Sequence, residues 1–263
     1  MALSRIDAGR AARNFSAAAA GYDRAATLQL RTREALLAEL AARAGAPRRL
    51  LDLGCGTGIG ARRLRALYPG AEVLALDRAP GMVRIARDAG LDALVGDAQR
   101  LPLPAACCDA ILSNLVLQWC PQPELAMTEA CRVLRPGGWL CLSLPGPATL
   151  RELRTAWRQV DQAEHVHRFD PASAWLARAE AAGLELHSLR PELLREPHAD
   201  VFALMRSLRE TGVVNASAQR RRGLLGRSAL AALERAYAPW RTAEGIVASW
   251  EILYLVLRRP TEC

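Results

Sequence analysis

The chain has 263 residues, of which 51% are hydrophobic and 24% charged, and these proportions exclude a wholly disordered protein. All 35 basic residues are arginine, which excludes a Schiff-base lysine or a Walker-type phosphate site, and the net charge of +8 indicates an acidic partner without identifying it. No apolar run approaches the ~20 residues of a membrane span, and the first residues lack a signal-peptide pattern, so we expect a cytoplasmic protein.

The predicted elements fall into three parts of one domain covering residues 1–263. Residues 1–46 are rich in alanine and arginine and predict two N-terminal helices. Across residues 47–145 short apolar runs alternate with helix-like segments, which is typical of a doubly wound, mostly parallel sheet covered on both faces. The predicted strands of this part are Leu50–Leu53, Val73–Leu76, Ala93–Val95, Ala110–Leu112 and Trp139–Leu144, with Arg135–Gly138 as a sharp turn before the last of them.

Residues 146–263 predict helices at about 148–159 and 171–182, followed by two more strands. These strands are Leu184–Leu189 and Val247–Leu257, and an arginine-rich helical cap at about 199–240 separates them. The fold class is therefore α/β, with a Rossmann-like sheet of seven strands.

A glycine-rich turn follows the first predicted strand, in the run Leu50–Gly60. Glycines allow positive φ and let a ligand approach the backbone closely. Gly56–Ala61 also fits the dinucleotide pattern G-x-G-x-x-A, so a dehydrogenase is an alternative. Asp52, just before the turn, would repel a pyrophosphate but attract the ammonium and sulfonium cations of S-adenosylmethionine. Asp77 and Asp97 end the next two strands, where acids can bind ribose hydroxyls and an adenine amino group, so this pattern favours S-adenosylmethionine.

These motifs, together with Arg135–Gly138, resemble those of class I S-adenosylmethionine-dependent methyltransferases over about residues 48–145. Over nearly the whole chain the sequence is similar to a narrower family, the BioC-type malonyl-acyl-carrier-protein O-methyltransferases of biotin synthesis. The residues that carry this second resemblance are Phe15-Ser16, Tyr22-Asp23, Gln29, Ser113–Leu115, Gln118-Trp119, His165–Phe169, Arg206–Leu208, Gly212, Asn215 and Tyr254. Val213-Val214 and Ser249-Trp250 depart from the family pattern.

The resemblance implies S-adenosylmethionine as cofactor, and as acceptor the carboxylate of a malonyl group held by acyl carrier protein or coenzyme A. The cofactor residues it implies are Tyr22, Asp52, Gly54, Cys55, Gly56, Gly58, Asp77, Arg78, Met82, Asp97, Ala98 and Asn114. It implies that Gln118, Trp119, His165 and Arg168 position the substrate. A malonyl carboxylate is ionised at neutral pH, so no general base is expected.

Several of these residues also have an ordinary structural interpretation. Trp119 could be core, Asn114 a loop cap and Tyr22 an anchor for its helix, while His165 and Arg168 could serve structural hydrogen bonds. His165 and His167 alternate, but no third ligand lies at motif spacing, and the seven cysteines form no C-x-x-C pair. We therefore expect no metal.

An arginine-rich stretch in the cap holds six arginines against one acid, Glu210. The arginines are Arg206, Arg209, Arg220, Arg221, Arg222 and Arg227. The stretch would suit an acidic carrier protein, although a solvated face or an RNA-binding surface has the same pattern. It lacks interleaved aromatic residues, which argues against stacking on single-stranded nucleic acid. A trans-aconitate-type carboxyl methyltransferase and an RNA-binding methyltransferase or RNA-binding protein remain alternatives.

Overall fold

The computed structural model describes residues 6–213 and 226–261, which form a sheet covered by helices. Its strands are β1 (Arg49–Leu53), β2 (Glu72–Asp77), β3 (Asp92–Val95), β4 (Cys108–Asn114), β5 (Leu134–Pro145), β6 (Glu185–His198), β7 (Arg241–Thr242) and β8 (Gly245–Arg258). Its helices are α1 (Ala8–Ala25), α2 (Thr27–Ala41), α3 (Ile59–Leu67), α4 (Pro80–Asp88), α5 (Pro123–Val133), α6 (Arg151–Arg158), α7 (Ala172–Ala181), α8 (Val201–Glu210) and α9 (Arg227–Ala236).

The sheet has the strand order β3-β2-β1-β4-β5-β8-β6, which confirms the predicted doubly wound fold. Strands β1 to β5 pair in parallel, and β8 lies antiparallel between β5 and β6. The two-residue strand β7, which pairs with β8, is an eighth strand that the sequence did not predict. It is too short to produce a hydrophobic pattern.

Side chains from successive strand positions enter two different cores. In β1, Leu50 belongs to the same buried cluster as Leu36 and Leu40 of α2, whereas Leu51 belongs to the other cluster, with Met127 of α5. Because alternate strand residues point to opposite faces, both faces must be covered by helices. This explains the nearly continuous apolar runs of the central strands.

The prediction of a sharp turn at Arg135–Gly138 is wrong, because these residues belong to β5. Leu134 pairs with Cys108 of β4 and Trp139 pairs with Ala110, so more residues of β5 than of β4 lie between these two pairs. The extra residues of β5 form a bulge. Gly137 has a φ of 77° within this bulge. Glycine and proline together indicated a turn, but pairing with β4 on both sides of them keeps the segment in the sheet.

Strands β6 and β8 are longer than predicted and form a long antiparallel arm. The first of these two predicted strands ended at Leu189, and the second began at Val247. In the structure the two strands pair as far as His198 and Ile246. Charged residues and prolines interrupt the apolar pattern of β6, which lies at the edge of the sheet, where such residues are tolerated. Its pairing with β8 therefore extends it beyond the apolar run.

Helix α1 lies across the carboxyl-terminal edge of the sheet, between α4 and α8. Glycines permit this close approach: a Cβ on Gly81 would lie 2.6 Å from the carbonyl oxygen of Ser16, and one on Gly212 would lie 2.8 Å from the ring of Phe15. The amide of Gly81 also donates to the Ser16 hydroxyl at 3.1 Å. Helix α1 therefore covers the strand ends where this fold binds its ligands.

The predicted helical cap is present as α8 and α9. Arg220, Arg221 and Arg222 lie outside the described residues, as does the side chain of Arg227. Among the described helices, none has the length and apolar character needed to cross a membrane.

Candidate active site

A deep cavity lies at the carboxyl ends of β1, β2, β3 and β4, beneath α1. Its floor includes Leu53, Gly54, Gly56, Asp77 and Asn114, and α1 supplies Phe15 and Tyr22 to its cover. Strand β1 lies between β2 and β4, so the chain leaves this edge in two opposite directions. A doubly wound sheet binds its ligand at such a switch point.

The glycine-rich turn brings bare backbone to the cavity. Gly54 has a φ of 76°, and a Cβ there would lie 2.1 Å from a methyl carbon of Val116. Gly58 has a φ of 87° and precedes α3, and a Cβ there would lie 2.2 Å from Leu91. Two positive φ values and two close approaches explain why the sequence needs glycine at these positions.

Two opposite charges, Asp52 and Arg33, are buried behind the lining of this cavity. Asp52 is 3% exposed and Arg33, on α2, is 7% exposed. Asp52 Oδ2 and Arg33 Nη1 have no hydrogen-bond partner among the described residues. Burial raises the pKa of Asp52 to about 6, although the charge of Arg33 opposes the shift. A buried acceptor and a buried donor that lack partners and whose charges interact fit the ammonium and carboxylate of an amino acid.

The position of Asp52 argues against a dinucleotide. Its carboxylate lies below α3, where a Cβ on Gly60 would be 2.5 Å from Oδ2, and it accepts a backbone hydrogen bond from Ala61. A pyrophosphate would need this same helix N-terminus. The carboxylate already carries the negative charge that the helix end stabilises, so a second anion would be repelled.

Asp77 lies at the end of β2 with one backbone bond on each carboxylate oxygen. Oδ2 accepts from the amide of Gly56 at 2.9 Å and Oδ1 accepts from the amide of Ala79 at 2.8 Å. Burial raises the pKa of Asp77, while these backbone bonds lower it. Each oxygen keeps a further lone pair, so the carboxylate can accept from both hydroxyls of a ribose.

Asp97 and Arg78 line the opposite part of the cavity as an ion pair. Arg78 Nη1 lies 2.6 Å from Asp97 Oδ2, and the amide of Gln99 donates to Oδ1 at 3.0 Å. These bonds fix the carboxylate beside Ala98 and Cys120, which also line the cavity. It can still accept from an adenine amino group, and the whole donor and acceptor set fits S-adenosylmethionine.

A second cavity adjoins the first, and Trp119 and Cys120 line both. The Trp119 ring makes edge-to-face contacts with Phe15 at 5.4 Å and with His167 at 5.3 Å between centroids. Gln118 and Arg168 line only the second cavity. Trp119 is therefore the wall between a cofactor-sized space and a neighbouring space on which residues from the 165–170 loop converge.

Known proteins with the same pattern identify the family. Residues 51–142 match the model of a methyltransferase domain. The malonyl-[acyl-carrier protein] O-methyltransferase of Methylococcus capsulatus is 41% identical over 252 residues, which are 94% of this chain and 92% of that protein. That of Laribacter hongkongensis is 39% identical over 97% of this chain and 90% of its own. The chain belongs to the malonyl-[acyl-carrier protein] O-methyltransferase family.

Solved structures agree on the fold. A methyltransferase-like protein of Bacillus halodurans, 21% identical, superposes with a TM-score of 0.63 and covers 87% of this chain and 99% of its own. The methyltransferase domain and the family together confirm the predicted cofactor, S-adenosylmethionine.

Most of the sequence-predicted cofactor residues of this methyltransferase line the first cavity. They are Tyr22, Gly54, Gly56, Asp77, Arg78, Met82, Asp97, Ala98 and Asn114. Cys55 and Gly58 shape the turn without lining the cavity, and burial raises the pKa of the Cys55 thiol. Burial raises the pKa of Tyr22, while the charge of Arg33 lowers it.

The Asn114 side-chain amide is fixed by two hydrogen bonds. Its Nδ2 donates to the Gln29 carbonyl of α2 at 2.9 Å, and its Oδ1 accepts from the Ser143 hydroxyl at 2.7 Å. Asn114 therefore ties α2 to β4 and β5. An ammonium group can only donate, so the predicted contact with the methionine ammonium would use the second lone pair of Asn114 Oδ1 or a backbone carbonyl.

His165, predicted to position the substrate, lies away from both cavities. Its ring stacks on Trp157 at 3.7 Å between centroids, and its Nε2 lies 2.8 Å from Asp161 Oδ1. His167, two residues later, lines the second cavity instead. The histidine that lines a cavity is therefore His167, because the His165 ring packs against Trp157 and Asp161.

Arg33 was missed by the sequence analysis, although a signal existed. It lies three, four and seven residues before Leu36, Leu37 and Leu40, which is the spacing of one helix face. Those three leucines are buried. An arginine on an otherwise apolar face needs a buried counter-charge, and the charge of Arg33 acts on the buried Asp52.

We expect the affinity for S-adenosylmethionine to fall as the pH decreases through about 6. With a pKa raised to about 6, Asp52 of the free enzyme becomes neutral below that pH and cannot attract the ligand ammonium. Titration calorimetry between pH 5 and 7, where the ligand α-amino group stays protonated, should show a loss approaching tenfold per pH unit. In Asp52→Asn binding should be weak and nearly independent of pH, and a wild-type affinity constant over this range would contradict the assignment.

Proposed function

We propose that this enzyme transfers the methyl group of S-adenosylmethionine to the free carboxylate of a malonyl group on acyl carrier protein, giving the methyl ester that starts pimeloyl synthesis for biotin. The observation that carries the proposal is the similarity to malonyl-[acyl-carrier protein] O-methyltransferases over 94% of the chain. This similarity extends well beyond the methyltransferase-domain match at residues 51–142.

The reaction depends on the position of the carboxylate relative to the methyl group more than on acid–base catalysis. S-adenosylmethionine supplies an electrophilic methyl group: a carboxylate oxygen forms the new C–O bond as the C–S bond breaks, and the electron pair stays on sulfur. A carboxylate with a pKa near ~4 is already ionised, so no residue has to remove a proton. The role of this chain is to hold the attacking carboxylate oxygen in line with the C–S bond and to exclude water.

The acceptor would lie where the two cavities meet at Trp119. Phe15 and Trp119 supply apolar walls, and a dry environment strengthens the attraction between carboxylate and sulfonium. Gln118 Nε2 already donates to the Leu115 carbonyl at 2.7 Å, so its amide fixes the wall. We assign substrate positioning to Trp119, Gln118 and Arg168, with His167 in place of His165.

The carrier protein would dock beside α8. Arg206 and Arg209 are exposed on this helix, and Arg209 lines a groove between α8 and α1 together with Arg24. Acyl carrier proteins are acidic, so a basic surface next to the cover of the active site would orient them. For Arg220, Arg221, Arg222 and Arg227 the assignment rests on the sequence alone. Free thiols at Cys55, Cys107, Cys108, Cys120, Cys131 and Cys141 support a reducing, cytoplasmic location.

Transfer of labelled methyl from S-adenosylmethionine to malonyl-acyl carrier protein tests the proposal. We expect methyl ester formation at a rate far above that with free trans-aconitate, because only the carrier-bound substrate would also contact the basic surface at α8. Addition of RNA should not inhibit. Methylation of trans-aconitate in preference to the malonyl thioester would assign the enzyme to the other carboxyl methyltransferases, and strong RNA binding without methyl transfer would overturn the proposal.

A further inference from the structure

One side of α8 presents an aromatic ring and two arginines to solvent. Phe202, Arg206 and Arg209 are exposed, whereas Val201 and Leu204 of the same helix are buried. Positions i, i+4 and i+7 lie on one face of a helix, within about 60° of one another around its axis. The three exposed residues therefore form a stripe about 10 Å long, the α8 stripe.

Phe202 is the residue of the stripe that solvent does not explain. Its exposed fraction is 45%, and it is the one aromatic side chain among the exposed large apolar residues of the described chain. The chain has three phenylalanines, and the other two, Phe15 and Phe169, line the two cavities of the candidate active site. Aromatic and arginine side chains are both enriched where proteins bind one another. The composition of the stripe therefore indicates a protein-binding surface.

The α8 stripe lies beside the cover of the active site. Helix α8 packs against α1, and Arg209 lines a groove together with Gly21 and Arg24 of α1. Just after α8, a Cβ on Gly212 would lie 2.8 Å from the ring of Phe15, which lines the cofactor cavity. A protein bound on the stripe would therefore be placed next to the site and could deliver a group held on a flexible arm.

The charges of the stripe do not by themselves select one holder of the malonyl group. An acidic carrier protein and coenzyme A, whose phosphates are negative, would both be attracted by Arg206 and Arg209. The ring of Phe202 gains free energy only when an apolar surface covers it, in proportion to the area removed from water. A folded protein can offer such a surface beside its acids, whereas phosphate groups cannot.

We propose that Phe202 is the apolar anchor on which the acyl carrier protein packs, and that this contact selects malonyl-acyl carrier protein over malonyl-coenzyme A. The surface that fits is an apolar side chain with carboxylates on the side that meets Arg206 and Arg209. The proposal rests on the proposed function, because it needs a carrier protein as the holder of the malonyl group. It adds to that function the residue that distinguishes the two holders.

Phe202→Ala tests the anchor while retaining the fold, because the side chain is half exposed and alanine favours a helix. The substrates are malonyl-acyl carrier protein, malonyl-coenzyme A and malonyl-pantetheine. With the carrier protein kcat/KM should fall about tenfold, through a higher KM, while both constants for the two small substrates stay unchanged. The loss should persist at high salt, because salt screens the arginines but not the apolar contact.

Leu67→Ala is the matched control. It removes an apolar side chain of 43% exposure at the end of α3, at the opposite edge of the sheet, and should behave as wild type with all three substrates. The anchor would be refuted by wild-type kinetics of Phe202→Ala with the carrier protein, by an equal loss with malonyl-pantetheine, or by a loss that disappears in salt. An equal loss with malonyl-coenzyme A would also refute it, since stacking of adenine on the ring would produce that result.

A binding measurement separates this proposal from the function itself. Acyl carrier protein without its pantetheine arm carries no malonyl group, so its binding needs no methyl transfer. Calorimetry should show about tenfold tighter binding to the wild type than to Phe202→Ala. If this difference is found but no malonyl thioester is methylated, the proposed function fails and the docking surface stands. If methylation occurs without this difference, the anchor fails alone.

Discussion

Asp77→Ala should weaken S-adenosylmethionine binding about ten- to a hundredfold and lower kcat/KM by at least as much. The change removes the acceptor for the ribose hydroxyls, and the lost hydrogen bonds to this charged group should cost about 1.5–3 kcal/mol in total, because water replaces part of them. It also frees the amides of Gly56 and Ala79, which now donate to the carboxylate, so the turn loses its support from β2. Calorimetry with S-adenosylhomocysteine would measure the loss directly.

Two comparisons make the Asp77 result interpretable. Asp92→Ala removes an exposed aspartate that forms a surface ion pair with Arg65, and it should leave binding unchanged. Asp77→Asn keeps one acceptor oxygen and should lose less than alanine. A folded Asp77→Ala protein, checked by circular dichroism, that binds S-adenosylhomocysteine normally would remove Asp77 from the site.

Reversing two charges on α8, Arg206→Glu with Arg209→Glu, should reduce kcat/KM for malonyl-acyl carrier protein at least tenfold at low salt. Charge complementarity speeds encounter by about ten- to a thousandfold, and this contribution is screened as ionic strength rises. Both side chains are exposed, so folding should be retained. The deficit should shrink with added salt, mainly because the wild type slows.

The same variant distinguishes docking from a role in the site. Its affinity for S-adenosylhomocysteine and its activity on malonyl-pantetheine should match the wild type, since neither ligand carries the protein surface. Arg48→Glu reverses an exposed charge at the opposite edge of the sheet and should leave all three measurements unchanged. Equal loss on carrier protein and on malonyl-pantetheine would make α8 part of the lid over the site, which contradicts docking.

The sequence by itself determined the order of the elements, the parallel sheet and the cofactor end of the site. Each of these features is encoded within a few neighbouring residues: apolar runs of strand length, the glycines at 54, 56 and 58, and an acid at the end of each of three strands. In a parallel sheet those strand ends must meet at one edge, so the sequence alone places Asp77 and Asp97 close together.

The tertiary structure alone decided which side chains converge from distant parts of the chain. The folded 165–170 loop places the His165 ring against Trp157 and the His167 ring against Trp119, and the sequence carries no sign of which of the two would face the cavities. Arg33 and Asp52 are 19 positions apart in the sequence, yet packing of α2 under the glycine turn buries both together. The Asn114 amide is committed to α2 and β5 for the same reason. Such contacts depend on the packing of whole helices against the sheet, which local patterns of residues do not encode.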